Sequence, residues 1–113
     1  MEDRELLELA AKALGKVFVY GRPTIMGGSA TPFLDGYGYW NPLKDDGDCA
    51  RLEVELCMDV QIDESGVRSV KYLRDGMEFI ESIQLACNHG GDMNKARRWA
   101  SVEVSAEIGR MKP

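Results

Sequence analysis

The chain has 113 residues, 44% hydrophobic and 29% charged, and its 14 basic and 19 acidic side chains give a net charge of -5. The length suits one core, so residues 1–113 read as a single domain, and the balance of apolar and charged residues excludes a disordered chain. An acidic surface argues against direct binding of nucleic acid or of an anionic membrane, both of which call for a basic face.

Cys49, Cys57 and Cys87 are odd in number and form no CxxC pair, so a secreted disulfide framework is not expected. No apolar run approaches the ~18 residues that span a bilayer, and residues 1–14 lack the basic-then-apolar order of a signal peptide. These features together point to a reducing cytoplasm.

In chain order, Glu2 to Leu14 reads as a helix. Leu6, Leu7, Leu9, Ala10, Ala13 and Leu14 fall on one stripe, acids occupy the first turn, and Gly15 stands where a left-handed cap belongs. Lys16 to Tyr20 is a β-branched and aromatic run with strand character, closed by Gly21 and Pro23. Residues 21–39 are rich in glycine and proline and read as a long loop, with strand fragments around Thr24–Met26 and Tyr37–Trp40.

After Trp40-Asn41-Pro42-Leu43, Asp45 or Asp46 can cap a helix. Leu52 to Ile62 alternates strictly, as one long strand would, yet Cys49, Leu52 and Leu56 form a helical stripe behind a strong cap. A helix over Asp46–Cys57 followed by a strand over Met58–Asp63 reconciles the two. Glu64-Ser65-Gly66 is a hairpin turn, Val67–Leu73 returns as a strand, and Asp75-Gly76 is a second turn signal. In Met77–Leu85 one face carries Met77, Phe79, Ile83 and Leu85 and is interrupted by Glu81, which suggests a sheet edge. Asp92 caps a last helix to Met111 whose apolar face is Ala96, Ala100, Val104, Ile108 and Met111. The expected fold is α+β: three helices on a small, mostly antiparallel sheet of three to five strands, in the order α-β-loop-α-β-β-β-α.

No constellation of residues spells a catalytic or metal site, and no cofactor is expected. His89 lies near Cys87 and Asp92, but structural zinc takes four ligands, usually from two separated pairs, so a turn residue is the plainer reading. A Cys87–His89 nucleophile pair has no third group to orient it. Asp45, Asp46 and Asp48 lack the ligand spacing of an EF-hand and read as capping residues. Residues 21–28 with Arg22 could cradle a phosphate but match neither a P-loop nor a dinucleotide fingerprint. Trp40 could anchor a partner, although an aromatic at a loop end more often plugs a core.

Three segments carry a resemblance: Asp3 to Ala13, the run Trp40 to Asp48 (WNPLKDDGD), and Ala106 to Arg110. Together they resemble a family of small, uncharacterised proteins of tailed phages and prophages of Gram-negative bacteria. The resemblance implies helices after Asp46 and before Gly109, and a protein acting in the cytoplasm of an infected or lysogenic host. It implies no activity and carries over no site residue. The sequence departs from that pattern at Val102-Glu103-Val104-Ser105 and in the 21–39 loop.

Two functions follow as expectations. The first is a non-enzymatic inhibitor of a bacterial defence system, of anti-CRISPR type. It would bind a host protein at a basic, nucleic-acid-binding surface through Asp45, Asp46, Asp48, Asp59, Asp63 and Glu64, with Tyr39 and Trp40 as aromatic anchors. The second is a small-ligand or nucleotide-signal sponge using Arg22, Thr24, Gly27, Gly28 and Ser29. A housekeeping or regulatory phage protein is a third.

Overall fold

The computed structural model describes residues 2–20, 32–73, 76 and 78–113. Helices α1 (Asp3–Ala13), α2 (Asp46–Glu55) and α3 (Met93–Met111) accompany six strands: β1 (Phe18–Tyr20), β2 (Pro32–Leu34), β3 (Gly38–Tyr39), β4 (Asp59–Ile62), β5 (Gly66–Tyr72) and β6 (Phe79–Leu85). The α+β class and the element order agree with the sequence reading. The strands, however, form two antiparallel three-stranded sheets rather than one, β1-β2-β3 and β4-β5-β6. Pro32-Phe33-Leu34, expected as loop, is a strand. Proline is tolerated as the first residue of a strand, and β2 begins there. The fragment expected at Thr24–Met26 lies outside the described residues.

The helix ends follow local chemistry. Beyond α1, Gly15 takes φ +71°, Gly15 N–H donates to Lys12 O, and Lys16 N–H donates to Ala11 O, the paired bonds of a Schellman cap. The same pair closes α2, from Cys57 to Val54 and from Met58 to Glu53. There the left-handed position is held by Cys57 at φ +54°. This stop settles the ambiguity of Leu52–Ile62: helix first, then strand. Asp92 caps α3 by accepting from Lys95 N–H at 3.1 Å.

Helix α3 is the centre of the molecule. On one side Val102 and Ala106 join Leu6, Leu7, Ala10, Ala11, Leu34, Trp40, Leu43 and Leu52 in the larger core. On another, Ala96 and Ala100 pack on Val67 in a smaller core beneath the second sheet. Packed from several directions, α3 buries more than the single stripe expected of it. Ser101, Val102 and Ser105 are fully buried, and Met111 is exposed. Gly109 lies inside α3, as a helix running to Met111 requires. A Cβ there would be driven into the Leu9 carbonyl, 2.8 Å from its carbon, so glycine sets the approach of α1.

Polar groups are enclosed between α2, α3 and β5. Glu53 pairs with Arg97 and accepts from the Ser101 hydroxyl at 2.5 Å, and the Ser69 and Ser101 hydroxyls lie 2.8 Å apart. Burial of these groups is tolerable because each finds a partner.

Candidate functional site

The acidic run before α2 is a folding motif. Asp48 is buried: its Oδ2 accepts from Asn41 N–H at 2.9 Å, and its Oδ1 accepts from Arg51 at 2.7 Å and from the Tyr37 hydroxyl at 3.2 Å. Asp45 caps α2 by accepting from Asp48 N–H at 2.7 Å. Asp46 pairs with Arg98, which also donates to Leu43 O. Trp40 is 2% exposed and meets Phe18 edge to face at 6.1 Å. The docking roles expected of Trp40 and Asp48 are therefore corrected. Both point inward, because the corner from Trp40 to Asp48 must satisfy its own backbone while it seals the core. Asp45 and Asp46 stay solvent-facing, but their charge is met by Arg51 and Arg98.

The other three acids differ. Asp59, Asp63 and Glu64 are exposed on β4 and its turn, and none has an ion-pair partner among the described residues. Asp63 Oδ1 accepts from Ser65 N–H, the Ser65 hydroxyl and Gly66 N–H at 2.8–3.0 Å, which holds its carboxyl below the usual range and fixes the hairpin.

Beside these acids lies an apolar surface that faces water. Strand register places Tyr72 opposite Phe79, Val70 between Asp59 and Glu81, Arg68 between Gln61 and Ile83, and Gly66 opposite Leu85. All share the sheet side away from α3. Phe79 and Ile83 are 50% and 59% exposed, and Tyr72 and Leu85 are also exposed. Arg68 pairs with Glu81 at 2.5 Å, and its guanidinium stands 5.8 Å from the Phe79 ring centre. Its side chain thus crosses the row of Val70, which is fully buried. The face has two apolar ends, Tyr72–Phe79 and Ile83–Leu85, joined by an Arg68–Glu81 clasp.

The first sheet has a smaller surface of the same kind. Val19, Phe33 and Tyr39 are in register across β1, β2 and β3, and each is exposed. Tyr39 is therefore displayed, as expected, with Phe33 at 6.2 Å beside it.

The opposite side of β6 is polar and half-buried. Ser82 donates to Glu103 Oε2 at 2.9 Å, Gln84 Nε2 donates to Glu103 Oε1 at 3.1 Å, and Gln84 Oε1 lies 2.8 Å from His89 Nε2. Because that oxygen can only accept, the His89 nitrogen carries a proton. His89 also stacks on Trp99 at 6.2 Å. His89 and Glu103 thus belong to one chain of hydrogen bonds but are kept apart by Gln84. Cys87 is exposed on the 3-10 turn Ala86–His89.

Among the described residues no group of three metal-ligating side chains converges, and no helix is long and apolar enough to cross a membrane. Arg22, Thr24, Gly27, Gly28 and Ser29 lie outside the described residues. Comparison with family models, with curated proteins and with solved structures finds no match. Sequence reasoning does not single out Tyr72, Phe79, Ile83 and Leu85 as site residues. Their alternation is visible, but apolar alternation ordinarily marks the core side of a strand. The signal against that is the serine and glutamine of the opposite face, Ser82 and Gln84, matched by Ser69, Ser101 and Glu103 across the packing.

Proposed function

We propose that this chain is a non-enzymatic interaction protein that docks on a basic surface of a host protein and blocks it, acting as an inhibitor of a bacterial defence system. The observation that carries the reading is the outer side of the second sheet. There exposed Tyr72, Phe79, Ile83 and Leu85 lie beside Asp59, Asp63 and Glu64, acids without a cation partner among the described residues. Aromatic and aliphatic anchors supply affinity, and surrounding charge steers encounter and selects a basic partner. The net charge of -5 adds a long-range attraction to such a partner. The phage setting rests on the sequence resemblance of the Asp3–Ala13, Trp40–Asp48 and Ala106–Arg110 segments.

A nucleotide sponge draws less support. Its residues Arg22, Thr24, Gly27, Gly28 and Ser29 lie outside the described residues, so no observation of the structure favours it.

The test is capture from bacterial lysate on immobilised protein. A stoichiometric partner should be retained at low salt and released as ionic strength rises. The double variant Asp59→Asn, Asp63→Asn should retain less of it. If nothing binds stoichiometrically at low salt, the inhibitor reading is wrong.

A further inference from the structure

Strand β6 is bonded to β5 along one side, and among the described residues no strand covers its other side. A groove of about 520 Å³ opens along that edge. Its floor is α3, with Trp99, Glu103 and Glu107 at successive turns. Ser82 of β6 forms one wall and Leu6 of α1 the other. Unpaired strand edges offer a row of N–H and C=O groups to an added strand, whose alternate side chains then point to one side.

Any side chain entering this groove meets a fixed negative charge. Glu103 is held at both oxygens by neutral donors, Ser82 and Gln84, and Gln84 is oriented in turn by His89. Glu107 pairs with Arg110 and Glu81 with Arg68, whereas Glu103 has no cation partner among the described residues. A carboxylate has about four acceptor sites, so the two bonds leave room for more. Trp99 lies one turn before it, with the imidazole of His89 stacked on its indole. An aromatic ring beside such a carboxylate is the arrangement that takes a guanidinium or ammonium group.

We infer that the groove receives an extended, basic segment of a partner protein, added as a strand to β6, with an arginine or lysine side chain laid across Trp99 onto Glu103. This rests on the reading of the chain as a binder of basic protein surfaces, and it names the element of the partner that is gripped.

The probe is a short capped peptide of alternating valine and arginine, titrated into the isotopically labelled full chain and followed by amide and indole NMR signals. Expected are shifts of the outward-facing β6 amides of Glu81 and Ile83, whose neighbours Ile80 and Ser82 are turned toward β5, and of the Trp99 indole. Replacing arginine by neutral citrulline, or protein Glu103→Gln, should weaken binding about tenfold. The amide that Glu103→Gln introduces can keep both hydrogen bonds, because the Ser82 hydroxyl can turn from donor to acceptor. Glu107→Gln serves as a second variant should Glu103→Gln unfold, and N-methylation of the peptide along its β6-facing side should abolish the shifts. Shifts confined to the Tyr72 and Phe79 rings and the Ile83 methyl groups, with the Glu81 and Ile83 amides and the Trp99 indole unmoved, would overturn the groove and leave the docking reading standing. Unchanged affinity for the citrulline peptide would overturn it equally. Failure of the docking reading itself is scored by the lysate capture.

Discussion

Cys49 is enclosed against Glu53 and Ser101, and burial, reinforced by the charge of Glu53, pushes its thiol up to about 12. Cys57 and Cys87 are exposed. Iodoacetamide at about pH 8 should therefore alkylate Cys57 and Cys87 in the folded protein and reach Cys49 only in denaturant, as counted by mass spectrometry. The same displacement has a stability consequence. In the unfolded chain the thiol ionises from about 9, while the folded thiol keeps its proton to about 12. Stability from this group is complete below pH 9 and is lost as pH climbs through that window, because the unfolded state releases a proton the folded state retains. Urea midpoints at about pH 8 and about pH 10.5 should differ less in Cys49→Ala than in the parent. Cys57 poses a separate question, since it holds the left-handed cap of α2 that glycine holds after α1. A side chain in that region costs roughly 1–2 kcal/mol, while glycine returns some backbone freedom to the unfolded chain. Cys57→Gly should raise stability by about 0.5–1 kcal/mol in urea melts, an unusual gain for a glycine substitution.

Among the elements, the helices are the most legible in sequence. The stripe of α1 and the capping roles of Asp45 and Asp92 are local signals, and the structure carries them through with the expected residues. The two sheets are not legible as two, because partition of strands depends on contacts far apart in sequence. Nor is the role of Gly109, which local signals mark only as a weak helix residue. Its backbone instead lies against the Leu9 carbonyl of α1. Gly109→Ala sets two effects in opposition. Helix propensity favours alanine by about 1 kcal/mol, but the added methyl must push α1 and α3 apart, and overpacking costs about 1–3 kcal/mol. Steric cost should win because the obstacle is backbone, which cannot rotate away. The variant should lose about 1–2 kcal/mol by denaturant unfolding.

At the scale of the whole molecule, strand β6 is turned over relative to its apolar alternation, while β4 and β5 face α3 with Val60 and Val67. Phe79, Ile83 and Leu85 face water, while Ser82 and Gln84 face α3. Sequence periodicity identifies two faces of β6 without assigning which is inside. The assignment comes from α3, whose Glu103 supplies hydrogen-bond partners that water would otherwise supply. Asp59, Asp63 and Glu64, without ion-pair partners among the described residues, lie on β4 and its turn at the opposite edge of the sheet from β6, while Glu2, Asp3, Asp35 and Glu55 are exposed acids elsewhere on the molecule. By contrast, Trp40 and Asp48 are absorbed by the fold. One double variant separates the inverted arrangement from the ordinary one. Were Phe79 and Ile83 core residues, replacing both by threonine would cost roughly 2–5 kcal/mol each. Exposed as they are, they give up little buried area, and threonine preserves strand propensity. Some ring contact with Tyr72 and Arg68 is lost at Phe79, worth about 0.5–1 kcal/mol. Phe79→Thr with Ile83→Thr should therefore lower stability by less than about 2 kcal/mol in all, measured by urea unfolding, and should retain at least about tenfold less partner in lysate capture because two anchors are gone. A large stability loss would return this face to the core, and full partner capture by a stable variant would move the docking surface elsewhere on the molecule.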